Sequence, residues 1–193
     1  PHPWLAGGGP PVIVAVGRLS PQKDFETLLQ AFALVRRQRP ARLIILGEGG
    51  ERSRLEALVQ SLDLQSDVTL PGFDDNPFAY MRRADVFALS SRYEGLGMVL
   101  IEAMACGCPV VSTDCPSGAR EILDDGRFGP LVPVGDAVAL AQGITACLDD
   151  PVSADLLRQR SQRFNVVTST DAYLEVLHGA THLPHIETSE RAG

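Results

Sequence analysis

Short apolar runs alternate with stretches of helical periodicity along most of the chain. Val12-Ile13-Val14-Ala15-Val16 is the first run, closed by Gly17. A run without polar positions predicts a strand buried on both faces, as in a parallel sheet. From Asp24 the spacing changes: Phe25, Leu28, Leu29, Phe32 and Val35 share one helix face, with Asp24 as N-cap and Pro40 beyond the end. The cycle then repeats. Leu43-Ile44-Ile45-Leu46 predicts a second strand, followed by the turn Gly47-Glu48-Gly49-Gly50 and a helical stripe of Leu55, Leu58, Val59 and Leu62. Val68-Thr69-Leu70 predicts a third strand ended by Pro71-Gly72, then a short helix from Pro77 to Met81 capped by Asn76. Val86-Phe87-Ala88-Leu89 is a fourth strand, and Met98 to Cys106 is a helix apolar nearly all round, hence buried. Gly107 supplies its left-handed stop, with Pro109 just beyond. Val110-Val111 and Leu131-Val132 predict a fifth and a sixth strand, and Ala137 to Leu148 a long amphipathic helix.

Strands alternating with helices at this spacing define βαβ units. The predicted class is α/β, a Rossmann-like parallel sheet of about six strands with helices on both faces. After Pro151 the pattern weakens to one or two helices, with Tyr173, Val176 and Leu177 as a last apolar stripe over 169–178, and 179–193 is a polar tail. Residues 1–11, rich in Pro and Gly, read as a linker remnant ahead of a domain spanning 12–178. The chain opens Pro1-His2-Pro3-Trp4 without Met, as though cut from something longer.

Composition narrows the partners. The 193 residues carry 24 Asp+Glu against 17 Lys+Arg, a formal charge of −7. That balance argues against a general nucleic-acid binder, which needs excess cation. No apolar run is long enough for a membrane span. Four Cys are too few for a disulfide scaffold, and a reducing, cytoplasmic compartment is expected.

In such sheets ligands bind at the carboxyl ends of the strands, so the residues just after each strand carry the chemistry. Gly17-Arg18-Leu19-Ser20-Pro21-Gln22-Lys23 follows the first strand. Arg18 as a planar fork and Lys23 as a point charge bracket a turn into a helix start, an arrangement suited to a diphosphate. Spacing alone favours a solvated surface pair; two cations at a strand's carboxyl edge in an acidic chain weigh toward the anion site. After the fourth strand come Glu94-Gly95-Leu96-Gly97-Met98-Val99 and, two helical turns on, Glu102. The glycines expose N–H groups at the helix start, and Glu102 is a carboxylate on an apolar helix. An internal salt bridge or a cap, or an acceptor for sugar hydroxyls, would each account for the carboxylates.

These pieces, joined in order with Ala103-Met104-Ala105-Cys106-Gly107-Cys108-Pro109 and Cys115-Pro116-Ser117-Gly118, resemble the C-terminal, donor-binding domain of GT-B retaining glycosyltransferases, more narrowly glycosyltransferase family 4. The resemblance runs from about Pro11 to Pro151. It implies half of a GT-B fold and binding of a nucleotide-diphospho-sugar, a UDP-sugar above all. The hexosyl group would pass to a saccharide or lipid-linked acceptor. It implies that Arg18 and Lys23 neutralise the diphosphate with no cofactor and no obligatory metal, and that Glu94 faces the donor sugar. Arg18, Lys23 and Glu94 are thus the implied catalytic residues. Glu102 would accept the ribose hydroxyls, backbone groups of Leu96, Gly97, Met98 and Val99 would hold phosphates or sugar, and Gly17, Gly72 and Phe73 would complete the donor site, the last two near the base. Leu96-Gly97-Met98 departs from the aromatic or Pro common in the family, which leaves the sugar open.

The resemblance also implies an N-terminal acceptor domain across the cleft, to which the helix 169–178 would cross, and inactivity of the present chain without it. Through that domain the protein would sit at the inner membrane face. A non-catalytic nucleotide-sugar-binding module and a sugar-nucleotide epimerase of the same architecture are the alternatives. Cys106, Cys108 and Cys115 lack a nearby His and read as buried small side chains rather than metal ligands. The paired aspartates, Asp74-Asp75 among them, read as solvated turn residues.

Overall fold

The computed structural model describes residues 2–116 and 118–165. Strands β1 (Val12–Val16), β2 (Arg42–Leu46), β3 (Val68–Gly72), β4 (Val86–Leu89), β5 (Val110–Thr113) and β6 (Leu131–Val132) form one sheet. All pairings are parallel, in the order β3-β2-β1-β4-β5-β6. This is the Rossmann-like architecture expected from the alternation.

The continuous apolar runs arise because both faces are covered. Ile13 and Ala15 of β1, Leu43 and Ile45 of β2, and Val86 and Ala88 of β4 pack into one core layer with α1 (Phe25–Gln38), α2 (Arg52–Ser61) and α6 (Ala137–Asp149). Their alternate neighbours Val12, Val14, Ile44, Leu46, Phe87 and Leu89 pack into the opposite layer. There they meet α3 (Phe78–Met81), α4 (Met98–Ala105), α5 (Ala119–Ile122) and α7 (Ala154–Ser161). Two-sided burial removes the polar alternation that a half-exposed strand would show.

The caps follow the sequence. The Asp24 carboxylate accepts from the Thr27 N–H at the start of α1, and Arg36 and Arg37 lie in its last turn, where cations suit the helix dipole. α3 begins one residue later than expected, with Pro77 at the cap position, and the Asn76 side chain just ahead of it accepts from Ala79 N at 3.2 Å. Gly107 follows α4 at φ 77°.

Three features depart from the pattern. β3 continues over Pro71 and Gly72, with Gly72 opposite Leu46 after a register shift; as the sheet edge, β3 tolerates a proline that a central strand would not. Helix α5 is only four residues long, too short to produce a readable period. Residues Pro3–Ala6 form a 3-10 turn that buries Leu5, and Arg42 lies over the Trp4 ring at 5.0 Å, at the amino ends of β1 and β2. The helix expected over 169–178 and the tail 179–193 lie outside the described residues. No helix among the described residues is long and apolar enough to cross a membrane.

Candidate functional site

The chain leaves β1 toward β2 on one side and reaches β4 on the other, so the strand order reverses between β1 and β4. A crevice opens at the carboxyl ends of strands around such a point. A cleft of about 600 Å³ lies beside this point, at the carboxyl ends of β1, β2 and β3 and against α4. Gly17 and Arg18 enter it from the end of β1, Gly47 and Glu48 from β2, Phe73 from β3, and Glu102 from α4.

Backbone geometry makes the meeting possible. Gly47 sits at φ 142°, and a Cβ there would lie 1.9 Å from the Gly17 carbonyl oxygen. Only glycine lets the β1 and β2 loops approach this closely. Their amides then pair: Gly17 N donates to Leu46 O at 2.9 Å and Leu19 N to Glu48 O at 2.9 Å.

Arg18 is exposed, Glu102 is half-buried, and neither side chain makes a hydrogen bond or ion pair among the described residues. A second depression of about 670 Å³ lies beside α5 and α7. There Arg120 is committed to Asp114 and Asp125, and Arg160 donates to the carbonyls of Ile122 and Glu121. Arg163 and Glu121 on the same depression make no side-chain hydrogen bond or ion pair among the described residues, so the cleft at the strand ends is distinguished by its place in the sheet rather than by spare charge.

The second implied cation is differently placed. Lys23 Nζ lies 2.6 Å from Glu94 Oε1, with the two side chains only 15% and 10% exposed. Ser91 Oγ donates to the same carboxylate oxygen. The Lys23 stem lies over Gly17, where a Cβ would come within 2.9 Å of its Cε. Lys23 and Glu94, 71 residues apart in sequence, therefore form one unit at the edge of the cleft wall.

Leu96 and Met98 are exposed and Val99 is half-buried. Gly97 is the buried N-cap of α4 at φ 72°, and with no side chain it offers no cap to the first N–H groups of the helix. Gly72 is buried at the end of β3, and Phe73 beyond it is 74% exposed at the cleft mouth.

Several lining residues escaped the sequence reading: Glu48, Asp74, Asp75, Pro77 and Phe78. The rule that singled out Arg18, position just after a strand, applies equally to Glu48. Arg52 holds Glu48 with two bonds of 2.8 Å, which keep its carboxyl below the ordinary range. Asp74 does more than meet solvent. It accepts from Asn76 N at 2.8 Å and from the Tyr80 hydroxyl at 3.0 Å, and these bonds lower its pKa. Burial, then Asp74, pushes the Tyr80 hydroxyl up.

Among the described residues no group of three or more His, Cys, Asp or Glu side chains could hold a metal ion. Cys108 and Cys115 are buried and Cys106 is half-buried; all are free thiols, and burial raises the pKa of each.

A doubly wound parallel sheet with Arg18 and Glu102 in one cleft at its strand ends is of the Rossmann-like α/β class. The chain belongs to the family described as Glycosyl transferases group 1, whose model matches residues 3–164. It is 44% identical over 138 residues to the N-acetylgalactosamine-N,N'-diacetylbacillosaminyl-diphospho-undecaprenol 4-alpha-N-acetylgalactosaminyltransferase of Campylobacter jejuni, covering 72% of this chain and 37% of that protein. It is 35% identical over 172 residues to the lipopolysaccharide core biosynthesis glycosyltransferase LpsE of Rhizobium meliloti, covering 86% and 49%. Among solved structures, Anabaena HepE in complex with UDP superposes with a TM-score of 0.76 at 30% identity, covering 89% of this chain and 49% of that one. The chain thus spans about half, or less, of the length of these relatives.

Proposed function

We propose that this chain is the donor-binding half of a retaining glycosyltransferase of family 4, taking a UDP-sugar and transferring its hexosyl group to a saccharide or lipid-linked acceptor. The observation that carries the reading is the convergence of Arg18 and Glu102, whose side chains make no hydrogen bond or ion pair among the described residues, on one cleft at the carboxyl ends of β1 and β2. The UDP complex of HepE supports uracil nucleotide as the donor's leaving part. The transferase names of the Campylobacter and Rhizobium relatives favour transfer over epimerisation or binding alone.

The chemistry follows from where charge develops. Breaking the bond between sugar and phosphate puts negative charge on the departing diphosphate. Arg18, Lys23 and the uncapped N–H groups of α4 stabilise that charge more in the transition state than in the ground state. In this reading no metal is obligatory, because the two cations do the neutralising. Loss of one such contact would raise the barrier by about 3 kcal/mol, the scale of a missing oxyanion-hole donor. Glu102 accepts the ribose hydroxyls, Gly72 and Phe73 border the base, and Glu94 faces the sugar once Lys23 turns toward phosphate. Acceptor contacts come from a second domain across the cleft. With an undecaprenol-linked acceptor, like that named for the Campylobacter relative, the whole protein would work at a membrane surface.

A thermal-shift panel with UDP, GDP, ADP and NAD tests the reading. UDP at one hundred times its dissociation constant should add about 2.7 kcal/mol of stability. A response to NAD alone would overturn the proposal.

A further inference from the structure

We propose that Asp24 and Arg92 are positioning residues, whose ion pair sets the register of the β1–α1 and β4–α4 loops and thereby holds Lys23 and Glu94 together beside the cleft. This rests on the donor-site reading above, which gives neither residue a part.

Asp24 is an expensive residue to keep. It is 6% exposed and sits in the left-handed region at φ 47°, ψ 46°. Non-glycine residues pay for that backbone, and a buried carboxylate pays for lost hydration. As a cap it is weak, since Oδ1 reaches Thr27 N only at 3.4 Å. An Asn would cap as well, and tolerate the same backbone, without burying a charge. What the carboxylate adds is attraction for Arg92, whose Nη2 lies 3.0 Å from Asp24 Oδ2. Oδ2 makes no hydrogen bond, so the contact is a charge pair rather than a directional bond.

The order of charges gives that pair its use. One loop presents Lys23 and then Asp24; the other presents Arg92 and then Glu94. The observed register joins Lys23 to Glu94 and Asp24 to Arg92. The exchanged pairing would set cation against cation and carboxylate against carboxylate, which charge repulsion rejects. Three further bonds tie the same loops through backbone carbonyls: Arg92 N to Gln22 O at 2.8 Å, Gln22 Nε2 to Tyr93 O at 2.9 Å, and Ser90 Oγ to Lys23 O at 2.7 Å. These bonds align the two backbones. The Asp24–Arg92 pair adds the charge preference that locks the alignment and rejects the exchanged one.

The test uses the full chain and two readouts: hydrogen exchange over 18–24 and 91–99 without nucleotide, and UDP affinity by calorimetry. In Arg92→Ala and Asp24→Asn, both segments should exchange faster while α1 and the central strands keep their protection. UDP affinity should fall about fivefold, roughly 1 kcal/mol, the upper scale for a half-exposed ion pair. Arg92→Lys should restore most of it, because a charge contact does not need the guanidinium fork. In a Lys23→Ala background, Arg92→Ala should cost nothing more. Unchanged exchange in both single variants overturns the proposal, as does a Lys variant no better than Ala, or independent addition of the Arg92 and Lys23 losses. A wild-type chain that binds none of UDP, GDP or ADP defeats the donor-site reading instead, and the exchange arm still decides the register question.

Discussion

Two sets of opposite charges flank Gly17, and the protein keeps them in opposite states. Lys23 and Glu94 are closed on each other and mostly buried, and Glu94 also accepts from the Ser91 hydroxyl. Arg18 and Glu102 share a cleft, and neither side chain makes a hydrogen bond or ion pair among the described residues. A closed pair contributes to the fold and is costly to break from one side only. An open pair contributes little to the fold and is available to a ligand. Before a ligand arrives, one lysine–glutamate pair is thus closed on itself while an arginine and a glutamate in the neighbouring cleft stand open.

Removing Lys23 should give the largest effect on stability. Lys23→Ala removes the cation that faces the mostly buried Glu94 carboxylate and should cost about 2 kcal/mol, the scale of a buried polar group that loses a partner. Urea unfolding measures it, and a change below about 0.5 kcal/mol, the range of an ordinary surface substitution, would erase the contrast. Arg18→Ala should leave unfolding within that range and weaken UDP binding about tenfold, or 1.4 kcal/mol. Gly17→Ala lies between the two: the new Cβ meets the Lys23 stem at 2.9 Å, and the flexible stem can shift at a cost of about 1 kcal/mol. It should lower UDP affinity while the sheet stays intact by circular dichroism. Glu102→Ala should leave stability alone and abolish the preference for UDP over its 2′-deoxy analogue. Equal discrimination before and after would remove Glu102 from the ribose.

The smallest effect concerns acid. Asp74 has its pKa lowered in the fold by Asn76 N–H and the Tyr80 hydroxyl. The stability it contributes is complete above its ordinary pKa of 3.8 and is lost as pH falls through the lower folded value. Asp74→Asn should therefore flatten the decline of stability below about pH 4, read as a shallower fall of the urea midpoint with acid.

The fold was legible because burial on both faces of the sheet writes unbroken apolar runs such as Val12 to Val16, and because Asp24, Asn76 and Gly107 mark helix ends by local chemistry. Gly17 and Arg18 were legible as cleft residues by their position at a strand end, Glu102 as a carboxylate on an apolar helix, and Phe73 only through the family resemblance. The Lys23–Glu94 contact was not, since it joins loops 71 residues apart and nothing local distinguishes a paired lysine from a waiting one. Asp74 was misjudged for a related reason. Its partner Tyr80 lies on the next helix, and an aspartate in a turn looks the same with or without it. Helix α5 escaped because four residues carry no period.

Calorimetric titration of UDP into the wild-type chain and into Arg18→Ala tests the central claim most directly. Saturable one-site binding to the wild type, weakened about tenfold in the variant with equal urea midpoints, is the predicted result. Equal affinity in both chains would contradict it, and so would a variant that loses binding only because it unfolds.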